Sequence, residues 1–460
     1  MLRFHSNYMK KNNCISFFII MLLSLSIQAQ TKKWTLEECV KYAIDNNISI
    51  KQTELDSRTA DIDKKGAIGN FIPSLNSNAS HSWNVGLNQD PTTGLLRNQT
   101  TQYSSMGAGV GFDIYKGMQN QNTLRKANLS IIAAKYQLTK MQEDVALNVA
   151  NAFLQVLFNR ENLKVQQEQR ATNEKQLLRS EELVKAGSVP RGDLLDIKAT
   201  VASDGQKVIA AENALLISKL SLAQLLQLKE FYDFDVTDAT SAKDENNILA
   251  QTPLAIYEKA KEERTELKIA KTNLEIAEKN VAIAKGGFQP TLQGFYNINT
   301  RISYAETVNF QTGAIEPAAP FGQQFKDNRG QAFGAQLSIP IFNGFAARNN
   351  VERSKVSLEK SKIAVEQQEL DLQRNVYTAF TDAKGGLNAY ESSLSALEAR
   401  QEAYNYAKEK YAVGMMNSFD FNQSQTLLSV AQSEVLRTKY DYIFKIKILE
   451  FYFGIPIIKN

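Results

Sequence analysis

Histidine, tryptophan and cysteine each occur only twice in 460 residues, and each scarcity closes a route. Only His81 lies beyond the N-terminal segment, so a histidine-rich metal site or a Ser/His/Asp nucleophile has little to draw on. Cys14 precedes the first apolar run, which rules out a lipoprotein acylation site, and Cys39 is left without a disulfide partner. No G-x-x-x-x-G-K-[ST] stretch is present, so a nucleotide-driven motor would have to be a different chain. Lysine and arginine number 53 against 49 acids, a formal charge of +4 that leaves no nucleic-acid footprint. An enzyme is therefore not expected, nor a metal or cofactor.

What is there begins with an export signal. Arg3, Lys10 and Lys11 precede the apolar run Ile15 to Ile27, which is too short to span a bilayer as a stable helix, and Gln28, Ala29 and Gln30 follow as a small polar cleavage region. Residues 1–30 are read as this signal, and removing its three basic residues lowers the charge from +4 to +1. Beyond it no apolar stretch approaches the roughly 18 residues that nominate a membrane helix. An exported chain can still cross a membrane as β-strands.

Laid against itself, the chain matches in order. GNFIPSL (Gly69 to Leu75) answers GGFQPTL (Gly286 to Leu292), and FDIYKG (Phe112 to Gly117) answers IPIFNG (Ile339 to Gly344). AGSVPRGDLLDIKAT (Ala186 to Thr200) answers AVGMMNSFDFNQSQT, and LAQLLQL answers ILEFYFGI. Two copies of one unit are expected: a first repeat over 31–228, a polar linker over 229–253 and a second repeat over 254–460. Repeats of this kind leave a face that a neighbour must cover.

Each copy reads helix, strand, strand, helix, break, helix. Thr35 to Lys65 carries apolar residues at helical spacing, and Thr35 with Glu38 has the spacing of a capping box. No proline falls between Gly117 and Gly187 or between Gly344 and Gly414, so each stretch is expected to be one helix of about 70 residues, or about 100 Å. Helices of half that length flank them, so two stacked end to end match one long helix.

The strands have a period of two. Met106, Ala108, Val110, Phe112 and Ile114 alternate with Gly107, Gly109, Gly111 and Asp113; Phe333, Ala335, Leu337, Ile339 and Ile341 alternate with Gly334, Gln336, Ser338 and Pro340. Leu75 to Gly86 and Leu292 to Tyr304 precede them with weaker alternation, and long polar loops are expected over Leu87 to Ser104 and Ala305 to Gly330. Lengths of about 10 to 13 residues suit tilted membrane strands, although soluble hairpins show the same pattern. Four strands cannot close a barrel, for which about eight are needed, and open edges are forbidden in lipid. Several chains would have to pool strands. Trp83, Phe112, Tyr115, Phe288 and Phe342 are expected near strand ends, as interface anchors or as packing.

At the first break Gly187 supplies a left-handed helix end, Pro190 prevents resumption, and Asp193 and Asp196 restart the helix as N-cap and first-turn acid. At the second, Gly414 opens the turn, and Asp420 with Gln423 has capping-box spacing. The aspartates serve as caps alone, or, in a symmetric tube of such hairpins, as a ring of carboxylates that admits cations and repels anions.

The signal, the duplicated order of elements, the PSL and PTL strand starts, and the glycine turn followed by DLLDIKA resemble the outer-membrane efflux protein (TolC) family over essentially the whole mature chain. The resemblance implies a mainly α fold with β: a homotrimer with a 12-stranded barrel in outer-membrane lipid and a 12-helix periplasmic tunnel. A mixed α/β belt around the tunnel would include the linker. It further implies a passive duct for efflux or type I secretion, serving an inner-membrane pump of RND or ABC type through a periplasmic membrane-fusion adaptor. Carried over by position, Gly187, Ser188, Val189 and Pro190 with Gly414, Met415, Met416 and Asn417 become adaptor-docking turns. Asp193, Asp196 and Asp420 become entrance acids, and Arg191 the one base available to latch neighbouring hairpins. The double acid stands in the first hairpin here, where the second reads FDFN, so the narrowest ring stays open. The rival reading is a periplasmic coiled-coil scaffold or adaptor, which has no need of the two hairpins.

Overall fold

The structure, a computed structural model, describes residues 33–89, 94–229, 234–237, 247–309 and 311–457. The expected signal and much of the expected linker lie outside the described residues. The chain divides into two compact units. One comprises Met1–Ile50, Gln142–Glu263 and Arg374–Asn460, and the other Lys51–Met141 and Arg264–Gln373.

The described chain opens with strand β1 (Lys33–Trp34) and helices α1 (Leu36–Asn46) and α2 (Ile48–Gly69). Thr35 closes the expected capping box: its hydroxyl accepts from the Glu38 amide at 3.1 Å, and its own amide donates to Glu38 Oε2 at 3.0 Å. The single helix expected over Thr35 to Lys65 is instead broken at Asn47, whose backbone is extended. Asn47 is buried and uses its amide twice, accepting from the Ser49 N–H at 2.9 Å and donating to the Leu225 carbonyl at 3.1 Å. A side chain that satisfies backbone groups this well competes with the helix it interrupts.

Two long strands follow, β2 (Ser74–Gln89) and β3 (Leu96–Lys116), then helices α3 (Gln119–Lys185, 67 residues) and α4 (Arg191–Leu225, 35 residues). After strand β4 (Asp235–Val236) and a short 3-10 turn the pattern returns. Helices α5 (Pro253–Glu263) and α6 (Thr265–Gly286) repeat the 11- and 22-residue lengths of α1 and α2. Their break falls at Arg264, 217 positions after Asn47. Strand β5 (Thr291–Ser303), the small pair β6 (Thr307–Val308) and β7 (Ile315–Glu316), helix α7 (Phe321–Asp327) and strand β8 (Gly330–Ser338) come next. Helices α8 (Ala346–Ala412, 67 residues) and α9 (Ser418–Tyr452, 35 residues) complete it, matching α3 and α4 residue for residue in length.

Within the first unit, β1 and β4 pair in parallel, and Val40, Phe153, Leu157, Leu222, Ile256 and Leu449 are buried almost completely. Each such side chain contributes roughly 1.5–3 kcal/mol over leaving it wet. Asp235 beside them takes salt bridges from Arg160 and Lys219, both at 3.1 Å. The expectation of no apolar helix needs correction at α4, which by length and composition is apolar enough to cross a membrane. Its apolar residues occupy more than one face: Ile197, Val208 and Leu222 are buried, whereas Ile209, Leu216, Ile217 and Leu220 form a second stripe that is exposed.

Within the second unit the four long strands form one antiparallel sheet in the order β2-β3-β5-β8. Two strand expectations change. Residues 96–104, expected as loop, extend β3, because the threonine-rich run there suits a pleated strand and meets β2 as far as Gln89. The second expected loop holds α7, which covers the end of β5 beyond β8. Gln324 accepts from the Ser303 amide and donates to its carbonyl, at 3.0 and 2.9 Å, and Asn328 donates to the Arg301 carbonyl at 2.6 Å. Conversely the strand expected over Gln331 to Phe342 stops at Ser338, opposite Thr291, where β5 begins.

Candidate functional site

Two features invite a functional reading, the sheet and the two helical hairpins.

Register places Ser74, Asn76, Asn78, Gly107, Gly109, Gly111, Asn297 and Asn299 on one face of the sheet. They line a recess of about 640 Å³, and Asn side chains fill the room that the glycines leave: a Cβ on Gly107 would stand 3.2 Å from Asn78 Oδ1. The opposite face carries Leu75, Trp83, Val85, Leu87, Val110, Phe333 and Leu337, and of these Val85 and Phe333 are 80% and 82% exposed. A sheet in water hides its apolar face; here large apolar side chains of that face are exposed, as are the asparagines of the other. His81 stays in β2 and is engaged, its Nδ1 2.7 Å from Ser104 Oγ and its Nε2 2.9 Å from Gln102. Trp83 lies within β2 rather than near its end, whereas Tyr115, Phe288 and Phe342 do flank strand ends.

Both hairpins belong to the first unit and open the same way. Gly187 and Gly414 are left-handed, with φ of +72° and +77°. The Ser188 amide reaches back to the Leu183 carbonyl at 2.9 Å and the Met415 amide to that of Lys410 at 2.8 Å, which satisfies the last carbonyls of each long helix. The two restarts differ from expectation. No residue from Ala186 to Pro190 is helical, and the new helix α4 starts only after Pro190, its N-cap without a side-chain bond; Asp193 is a first-turn acid rather than the cap, and Asp196 lies beyond the first turn. In the second hairpin Asp420 does not pair with Gln423. Asn417 is the cap, accepting from the Asp420 amide at 2.8 Å and donating to Asp420 Oδ2 at 2.9 Å. The reason is positional: the helices begin at Arg191 and Ser418, one residue after Pro190 and Asn417, which leaves each aspartate two residues inside.

Asp196 and Asp420 are exposed and Asp193 partly so. Gly187, Ser188, Pro190, Gly414, Met415 and Asn417 are exposed, and Val189 and Met416 are half-covered. Arg191 is exposed, with no ion pair among the described residues. Sequence reading missed the aromatic packing behind the second turn. Phe421, next to Asp420 and 5% exposed, stacks on Tyr411 at 4.6 Å and on Tyr404 at 5.9 Å. Tyr411 also receives a hydrogen bond from Gln176 at 2.8 Å, which ties α8 to α3. The tyrosines stand seven apart on one helix face, and that spacing is the signal that could have found the stack. No cluster of metal-ligating residues occurs among the described residues.

An amphipathic sheet with large apolar side chains exposed on one face, in a chain that also carries paired helical hairpins, suits a membrane channel. The model of the family described as outer membrane efflux protein matches residues 40–227 and 256–447, and the chain belongs to that family. It is 22% identical to the outer membrane protein TolC of Escherichia coli over 375 residues, 81% of this chain and 72% of TolC. It is 20% identical to the outer membrane efflux protein BepC of Brucella suis, over 89% of this chain and 83% of BepC. Among solved structures, the Campylobacter jejuni CmeC outer membrane channel superposes with a TM-score of 0.78 at 17% identity, covering 91% of this chain and 85% of CmeC. Vibrio cholerae VceC gives 0.74 at 14% identity, over 91% and 96%. The chain is accordingly an outer-membrane efflux protein with the helical fold of these channels.

Proposed function

We propose that the chain is one of three identical subunits of a passive duct. Its sheets close into a 12-stranded barrel in outer-membrane lipid, and its hairpins line a periplasmic entrance. The observation that carries this is the sheet, whose apolar face is exposed while its glycine and asparagine face is concave. Four strands are about half of what the smallest filled barrel needs, and lipid does not tolerate the two open edges, so copies must share strands. The exposed stripe Ile209, Leu216 and Ile217 on α4 supports the same reading, as a helix face for a neighbouring subunit.

The matched element lengths support two repeats, over 31–228 and 254–460, joined by the linker 229–253. The turn residues Gly187 to Pro190 and Gly414 to Asn417 are then docking points for a periplasmic adaptor that brings an inner-membrane pump. Asp193, Asp196 and Asp420 form entrance rings, and Arg191 bridges neighbouring hairpins in the shut state. No catalytic step is assigned to the chain.

The test is the native mass of the mature protein extracted from outer membranes, by light scattering corrected for detergent, followed by conductance in planar bilayers. A trimer that conducts supports the duct. A soluble monomer released without detergent would refute it in favour of a periplasmic scaffold.

A further inference from the structure

The chain contains one seam between its halves, and that seam is a template for the contact it lacks. Before the long strands of each half, equivalent positions are 217 apart, as with Gly69 and Gly286 at the ends of α2 and α6. After them they are 227 apart. Gly117 and Gly344 are both left-handed, at φ +58° and +60°, and so are the next residues, Met118 and Phe345. By these offsets β8 is the counterpart of β3, and β2 of β5.

Inside the chain β3 pairs with β5, and three features mark the seam. Val110 stands opposite Tyr296, with a bulge between Asp113 and Tyr115. The Tyr115 hydroxyl donates to Gln289 Oε1. Gly117 lies against Gly286 so closely that a Cβ on Gly286 would be 2.5 Å from the Gly117 carbonyl oxygen.

Each feature has a counterpart left open on the sheet's outer strands, β8 and β2, whose outer edges are unpaired among the described residues. Residues 339–343 correspond to 112–116, which are strand although only β5 pairs with them, β2 beginning opposite Gly111. The partner that 339–343 need in the same way is missing from the chain, and Ile341 is 95% exposed. Gly69 and Gly344 meet nothing within 4 Å of a built Cβ. The positions of Tyr115 and Gln289 are taken by Phe342 and Ile72, 76% and 61% exposed. Both members have changed together from polar to apolar, which preserves complementarity only if they face each other.

We propose that β8 and its continuation through Asn343 pair with β2 of a second copy in the register that β3 keeps with β5. Gln336 then stands opposite the partner's Ser80, Phe342 lies against the partner's Ile72, and Gly344 seats on the partner's Gly69. The occupant is another copy because register, bulge and glycine contact are those the chain already makes with itself. Pro340, with no N–H to give, falls at the bulge, where ladder donors are lost in any case. The seam rests on the multi-subunit reading above and adds its register.

Within one chain Ser80 and Gln336 are three strand spacings apart, about 14 Å, and by the register eight residues, about 27 Å, out of step along the strands, too far for a disulfide. The full chain carrying Ser80→Cys and Gln336→Cys is oxidised in outer membranes, and its native mass is measured in parallel. Buried Cys39 can stay. Covalent multimers are expected, at several-fold higher yield than from Gln336→Cys combined with Asn78→Cys or with Ser82→Cys. A multimeric mass with no cross-link, or with a shifted pair that links equally well, overturns the seam and leaves the duct standing; a monomeric mass overturns both. A second variant, Gly69→Leu, places its Cβ where nothing lies within 4 Å in the single chain and improves helix propensity. The seam requires at least a tenfold loss of multimer from it, and an unchanged multimer would overturn the glycine contact.

Discussion

Gly117 and Gly286 touch backbone to backbone, where the end of β3 turns into α3 beside the end of α6. Neither has room for a methyl group: a Cβ on Gly286 would also meet Gln119 Cγ at 2.5 Å. The contact sets how β3 leaves the sheet against the end of α6.

Gly286→Ala should therefore cost about 1–3 kcal/mol through overpacking. Gly117→Ala should cost at least as much, since the left-handed φ of +58° adds a penalty for any Cβ. Thermal melts of the detergent-extracted protein check both, with Gly66→Ala, which has open space within helix α2, as the control that should not destabilise.

At the second hairpin Asn417→Ala removes the only side-chain cap of α9 and should lower local stability by about 1 kcal/mol, whereas Asn417→Asp should keep it. Hydrogen exchange of the 418–421 amides is the readout, with about fivefold faster exchange expected for the alanine variant. The amides after Pro190, which has no side-chain bond to lose, should not change.

Phe421→Ala opens a space between Tyr404 and Tyr411 and should cost roughly 3–5 kcal/mol. Protease nicking confined to the second hairpin, with the sheet still assembled, is the expected signature. Equal loss at both hairpins would mean that the stack supports more than its own turn.

If the aspartates ring the entrance, Asp193→Asn, Asp196→Asn and Asp420→Asn should each lower the cation-to-anion permeability ratio of the channel, read from reversal potentials under a salt gradient. The largest effect identifies the narrowest ring. Arg191→Ala should raise the conductance of the shut state, and unchanged conductance would count against the latch.

Asp235 carries a pH dependence of known sign. Burial works against its charge, but hydrogen bonds from Lys219 and the Val236 amide, with the Arg160 and Lys219 charges, hold its carboxyl below the usual range. Its folded pKa is the depressed one, so the stabilisation is complete above the unfolded value of about 3.9 and is lost as pH falls through the folded pKa. Asp235→Asn should abolish that part of the acid transition and, by leaving Arg160 without its carboxylate, cost about 1.5–3 kcal/mol at neutral pH. Acid titration of unfolding, wild type against variant, measures it.

Much of the architecture was legible in the residues. Proline-free spans between glycines gave both 67-residue helices to within two residues at each end, and alternation located all four long strands, because both are local periodicities. Gly187 and Gly414 were readable as turns because only the left-handed conformation explains a glycine at that point of a helix. Caps were less legible. Asp193, Asn417 and Asp420 all suit a helix start, and which one caps depends on a helix phase that spacing cannot resolve.

Tertiary contacts decided the rest. Asn47 breaks a helix because the Leu225 carbonyl, 178 positions away, is within its reach, and Phe421 is core only because two tyrosines of another helix enclose it. The strand expected to Phe342 ends at Ser338 because a strand persists only where a neighbour accepts its hydrogen bonds. The sequence by itself determined which segments are helix, strand and turn, since those follow from each residue's own stereochemistry and its near neighbours. Where the strands end and which edges stay open belonged to the tertiary structure, since pairing needs a partner far away along the chain.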